Sequence, residues 1–133
     1  MNQQNQKIRV LIVEDDQFLA GILMDHLSWG ETWDLDLATT GEEGLKKMRA
    51  AKPDILLLDI ILPGIDGYEV LRQVKADREL AGIPVFILSN LGQKEEIAKG
   101  INLGAEDFLI KAHLDINDIR NKIKKALEKM PAS

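Results

Sequence analysis

Short runs of Ile, Val and Leu recur along this chain, and an amphipathic helical pattern follows each of them. That alternation constrains the fold more than any other feature. Strands joined through helices make right-handed βαβ crossovers, and these build a parallel sheet covered on both faces. The first run is Ile8 to Val13, broken only by Arg9; after it Phe18, Leu19, Ile22, Leu23 and Leu27 step by three or four. Trp33 to Ala38 alternates Asp34 and Asp36 with Leu35 and Leu37, and Thr40 with Glu43 reads as a capping box opening a helix to about Ala51. Ile55 to Leu58 is a continuous apolar run, closed by Asp59 and a Pro63-Gly64 turn. Asp66 caps a helix carrying Val70, Leu71 and Val74. Ile83 to Leu88 is the next expected strand, with a helix over Lys94 to Asn102 ended by Gly104. Phe108 to Ile110 is the fifth, and Asp115 caps a last helix with Ile116, Ile119, Ile123, Leu127 and Met130 at helical spacing.

The expected fold class is α/β, a doubly wound, flavodoxin-like (βα)5 sheet. Strands one, three and four are apolar almost throughout and belong in the middle. The second carries Asp34 and Asp36 on alternate positions and belongs at an edge, which the order 2-1-3-4-5 satisfies. With 133 residues there is chain for one such domain, expected over residues 7–130 after a frayed tail at 1–6, with no output domain behind it.

Composition narrows the chemistry. The net charge of -5 argues against a chain built to neutralise phosphates on nucleic acid, although Arg120, Lys122, Lys124, Lys125 and Lys129 make the last helix basic. No cysteine is present, so disulfides, thiol catalysis and Cys-based zinc sites are excluded. Neither a signal peptide nor an apolar stretch of membrane length is visible, and a cytoplasmic protein without membrane contact is expected. Trp29 and Trp33 are read as covering the edge of the core, and His26 as a helix-face residue.

In open parallel sheets ligands bind beyond the carboxyl ends of the strands, near the switch in strand order. The residues leaving the strands there are Glu14, Asp15 and Asp16, then Asp59, then Ser89 and Asn90, then Lys111. One crevice would hold Glu14, Asp15 and Asp59, with an excess of negative charge over Lys111. Like charges this close raise a pKa or recruit a cation, and a hard divalent ion such as Mg²⁺ suits oxygen ligands.

Four segments carry a resemblance: Ile12-Val13-Glu14-Asp15-Asp16, Leu57 to Gly67 around Asp59 and Pro63-Gly64, Ile87-Leu88-Ser89, and Asp107 to Lys111. Together they are similar to the receiver domain of two-component response regulators, over about residues 7 to 129. The resemblance implies a phosphorylatable signalling switch. Asp59 would take a phosphoryl group from a histidine kinase or a phosphotransfer protein. Mg²⁺ would sit on Asp15, Asp59 and the backbone carbonyl of Ile61, with Glu14 acting mainly through bound water. Lys111 would pair with a phosphoryl oxygen, Ser89 would accept the same group on activation, and Phe108 would be the aromatic that swings inward.

The resemblance also implies a face of the fourth helix, fifth strand and fifth helix, read by a protein target or a second copy; the acidic net charge is what argues against nucleic acid. Such a switch is no enzyme beyond self-phosphorylation from small donors and autodephosphorylation. A Mg²⁺-dependent aspartyl-phosphate phosphohydrolase is the alternative, but such enzymes commonly use an acid two residues after the nucleophile, where this chain has Ile61. A flavodoxin-like flavin carrier would have to seat an anionic phosphate on carboxylates. One position departs from the pattern: Ala112 follows Lys111 where the family usually has proline, often cis. A cis bond without proline costs about 2.5–4 kcal/mol, so this peptide is expected trans.

Overall fold

The computed structural model describes residues 7–90 and 93–130; the tail expected at 1–6 lies outside them. Five strands, β1 (Ile8–Val13), β2 (Trp33–Ala38), β3 (Ile55–Asp59), β4 (Val85–Ser89) and β5 (Asp107–Ile110), alternate with five helices. These are α1 (Gln17–His26), α2 (Gly41–Ala50), α3 (Gly67–Ala76), α4 (Lys94–Asn102) and α5 (Ile116–Glu128). All neighbours pair in parallel, in the order β2-β1-β3-β4-β5. This is the doubly wound, flavodoxin-like arrangement that the apolar patterning predicts.

Pleating divides the sheet's side chains between two cores. Leu11, Val13, Leu56, Leu58, Val85 and Ile87 pack with Leu45, Met48, Val70, Leu71 and Val74 from α2 and α3. Val10, Ile12, Ile55, Leu57, Phe86 and Leu88 pack on the other face with Leu23 and Leu27, and with Ile119 and Ile123 of α5. Each such side chain stabilises the fold by about 1.5–3 kcal/mol on leaving water. β3 and β4 are buried at every position, whereas β2 alternates and exposes Asp34 and Asp36. Charges there discourage another strand from adding to that edge.

Helix starts follow the expected caps at Thr40, Asp66 and Asp115, and Asp16 caps α1; each accepts backbone N–H of the first turn. The capping box is offset by one residue. Glu43 donates its N–H to Thr40 Oγ1 (3.0 Å), but its carboxylate takes the N–H of Thr39 (2.8 Å).

Three expectations meet specific outcomes. β4 begins at Val85 and not at Ile83, because Ile83 turns its N–H back onto the Leu80 carbonyl (3.0 Å) and Pro84 has none to give. Trp33 is buried as expected, but Trp29 is 64% exposed, its ring set edge-to-face with His26 at 4.6 Å between centres. No peptide among the described residues is cis, so Lys111–Ala112 is trans, and Lys111–His113 closes into a 3-10 turn.

The basic helix is engaged locally. Lys122 pairs with Asp107 (2.8 Å) and Lys124 with Glu31 (3.0 Å). Arg120 donates to the carbonyls of Leu27 (2.8 Å) and His26 (2.7 Å), so a cation closes the carboxyl end of α1. Among the described residues no helix is long and apolar enough to cross a membrane.

Candidate functional site

β1 sends Glu14 into the carboxyl edge of the sheet. Its N–H still bonds the Ala38 carbonyl (2.9 Å), so the side chain stays within the fold and is fully buried. Glu14 Oε2 accepts the N–H of Asp16 (3.0 Å). Asp16 in turn is committed to α1, taking the N–H groups of Phe18 (3.0 Å) and Leu19 (3.3 Å). Asp16, and not Asp15, holds that cap. Asp15, exposed, is left at the mouth of the crevice.

Asp59 ends β3 and is 3% exposed. Its Oδ1 accepts the N–H of Ile61 (3.3 Å), and its Oδ2 accepts from Lys111 Nζ (3.0 Å). Behind it α3 starts in contact with the strand. Gly67 donates its N–H to the Ile60 carbonyl (2.8 Å), and a β-carbon at Gly67 would overlap the Asp59 carbonyl. Glycine is therefore required where the helix meets the strand end.

Lys111 closes the group from the end of β5. Its ammonium is 2.8 Å from Glu14 Oε1 as well as 3.0 Å from Asp59 Oδ2. Burial pulls the Lys111 pKa down, but its hydrogen bonds to Glu14 and Asp59, and their negative charge, outweigh it and hold the ammonium above the ordinary lysine value. Burial pushes Glu14 above the usual carboxylate range, and the opposing pull of Lys111 and the Asp16 N–H does not cancel it. One oxygen each of Glu14, Asp15 and Asp59 lies within 4.8 Å of the others. Three carboxylates against one ammonium leave an excess of two negative charges. An all-oxygen donor set with that surplus fits a hard divalent cation retaining some of its waters, not a thiophilic metal.

Ser89 is the last residue of β4 and 1% exposed; in register it lies one step beyond Leu88, the partner of Asp59. Phe108, 8% exposed, is packed inward against the α2–α3 side of the sheet while Lys111 still holds Asp59. Ile61 exposes its side chain, 61%, beside the crevice.

The spacing of motifs does not reveal Glu42. Its Oε2 accepts the N–H of Ile65 (3.1 Å), which ties the first turn of α2 to the loop after Asp59. The contact spans 23 residues, and its only sequence signal is the acidic first turn that α2 shares with many helices.

The family model described as response regulator receiver domain matches residues 10–124. The DNA-binding dual master transcriptional regulator RpaA of Synechocystis is 30% identical over 121 residues, covering 91% of this chain and 49% of that protein. The chain spans about half the length of the curated relatives it matches. A CheY-like receiver domain protein from Methanospirillum hungatei superposes with a TM-score of 0.84 at 27% identity, covering 93% of this chain and 96% of that one. The phosphorylated cyanobacterial phytochrome response regulator RcpA superposes at 0.79 with 25% identity, covering 92% and 93%. With the strand order, the converging carboxylates and the match over most of its length, this chain belongs to the response regulator receiver domain family of two-component signalling.

Proposed function

We propose that residues 7–130 act as a phosphorylatable switch in which Asp59 accepts a phosphoryl group from a phosphohistidine. The donor is a sensor histidine kinase or a phosphotransfer protein of the cytoplasm. The observation that carries this reading is the bridge of Lys111 between Asp59 and Glu14, next to Asp15. An Asp59 carboxylate oxygen attacks phosphorus, the new P–O bond forms as the P–N bond breaks, and the electron pair leaves with the imidazole. Charge spreads over the transferring oxygens, so electrostatic positioning matters more than a general base. Lys111 passes from the Asp59 carboxylate to a phosphoryl oxygen. Glu14, Asp15 and Asp59, with the Ile61 carbonyl, would hold Mg²⁺, which neutralises charge on the transferring group.

The Ser89 hydroxyl donates to the phosphoryl group and draws the end of β4 toward it. Phe108, already inward, is then held there, and the α4–β5–α5 face changes its fit for a protein target or a second copy. A full swing from 1:99 to 99:1 needs about 5.5 kcal/mol of differential binding. A phosphoryl group of charge about -1.5 to -2, making one to three charge-assisted bonds, is of that order. The DNA binding in RpaA's name belongs to a protein about twice this length. For residues 7–130 we assign none, since lysines of α5 face carboxylates of the same fold.

The test is incubation with Mg²⁺ and acetyl phosphate, followed by intact mass. One base-labile phosphoryl group is expected, absent in Asp59→Asn. An adduct that survives Asp59→Asn overturns the assignment.

A further inference from the structure

The geometry points to Glu42 as a positioning residue that holds the loop after Asp59 in its cation-binding path. This rests on reading the Glu14–Asp15–Asp59 pocket as the Mg²⁺ site. The loop from Ile60 to Asp66 has to present a backbone carbonyl to the ion, and a backbone ligand is only as well placed as the chain that carries it. Near the pocket the loop is fastened at Ile61, whose N–H meets Asp59 Oδ1 (3.3 Å), and at Ile60, whose carbonyl takes the N–H of Gly67 (2.8 Å). On its far side the fastening comes from another element. Glu42 Oε2 accepts the Ile65 N–H at 3.1 Å.

Two further features show that the carboxylate is built into this place. Gly64 has φ +76, and a β-carbon there would lie 2.5 and 2.8 Å from the two Glu42 oxygens. The carboxylate thus fills the space that a side chain at residue 64 would need, at a backbone conformation that favours glycine anyway. Next to Glu42, a β-carbon on Gly41 would lie 2.6 Å from Val70 Cγ2 and 2.8 Å from Ile65 Cγ1. The absent side chain lets the start of α2 sit directly on the loop, which brings Glu42 to the Ile65 amide. Glu42 is not part of the carboxylate cluster. Its action on the ion runs through the backbone of the loop.

Two conservative variants separate reach from charge. Glu42→Gln keeps an oxygen at the same distance and loses the charge; Glu42→Asp keeps the charge and falls short of Ile65 by one methylene. Glu42→Ala loses both. We expect Glu42→Asp and Glu42→Ala to weaken Mg²⁺ binding, read by titration calorimetry, about three- to tenfold, the span of one net hydrogen bond. Glu42→Gln is expected within about twofold of the wild type on the same scale. In metal-free protein, NMR exchange of the Ile65 amide should speed up in Glu42→Asp and Glu42→Ala and stay slow in Glu42→Gln. Saturating Mg²⁺ should restore the acetyl phosphate reaction in all three.

Loss of affinity in Glu42→Gln equal to that in Glu42→Ala makes the effect one of charge and overturns the proposal. Unchanged Mg²⁺ affinity in Glu42→Ala with a fast Ile65 amide makes the contact merely structural and overturns it too. A wild type that neither binds Mg²⁺ nor gains a phosphoryl group sinks the reading of the pocket itself. That failure is distinguishable because the exchange measurement involves no metal.

Discussion

The two ends of one sheet treat charge in opposite ways. At the amino ends of the strands, Asp54 takes the N–H of Arg9 (2.8 Å) and Asp107 pairs with Lys122 (2.8 Å), both near solvent. At the carboxyl ends, Glu14 and Asp59 are 0% and 3% exposed, and a single Lys111 serves both with Asp15 close by. Carboxylates are common to both ends. What sets the carboxyl end apart is burial without matching positive charge. Such an arrangement costs stability in the free protein and persists where a ligand relieves it.

The comparison is broken or sharpened most strongly at Lys111. Lys111→Ala is expected to slow phosphorylation of Asp59 by acetyl phosphate on the order of 10²-fold, as for the loss of one stabilising donor in other active sites. It also leaves two buried carboxylates without their cation, at about 3 kcal/mol in urea unfolding of the metal-free protein. Lys122→Ala, at the other end, should leave the phosphorylation rate unchanged. Equal effects of the two substitutions would erase the distinction.

Next in size is the response to the ion. Mg²⁺ at about one hundred times its dissociation constant should raise unfolding free energy by about 2.7 kcal/mol, and Asp15→Asn should blunt the gain. Without metal the two ends should answer neutralisation with opposite signs. Asp15→Asn relieves repulsion and is expected to stabilise by about 1 kcal/mol or less, given its exposure. Asp54→Ala removes a backbone partner and is expected to cost about 1 kcal/mol. Chemical denaturation of both variants checks the pair, and a destabilised Asp15→Asn would contradict the charge surplus.

The smallest effect is in pH. Burial raises the Glu14 pKa above 4.5 in the folded state, so the folded chain holds that proton more tightly than the unfolded one. Its contribution is fully present below the unfolded value and is lost as pH rises through the folded one. Urea midpoints of metal-free wild type should therefore fall over that window relative to Glu14→Gln. Parallel profiles would show that Glu14 is not held in this way.

Much of this was legible along the chain because the signals are local or periodic. β3 is apolar at four successive positions and lies in the middle; β2 alternates with Asp34 and Asp36 and lies at the edge. Thr40, Asp66 and Asp115 announce helix starts through short-range hydrogen bonds that any extended-to-helix junction needs. Boundaries were less legible where a turn competes with an apolar run, as at Ile83, and exposure was illegible for Trp29, since loop side chains follow no period.

Residue types and their order thus determined the sheet, its strand order and the four strand ends where chemistry gathers, because pleat and helix periods write burial directly into sequence. Only the folded chain decided how those ends share their charges. It gave Asp16 to a helix and left Asp15 to the pocket, and it placed one ammonium between Glu14 and Asp59. It also brought Glu42 to the Ile65 amide. Contacts across 23 to 97 residues depend on where packed elements set two side chains in space, and no local pattern encodes that.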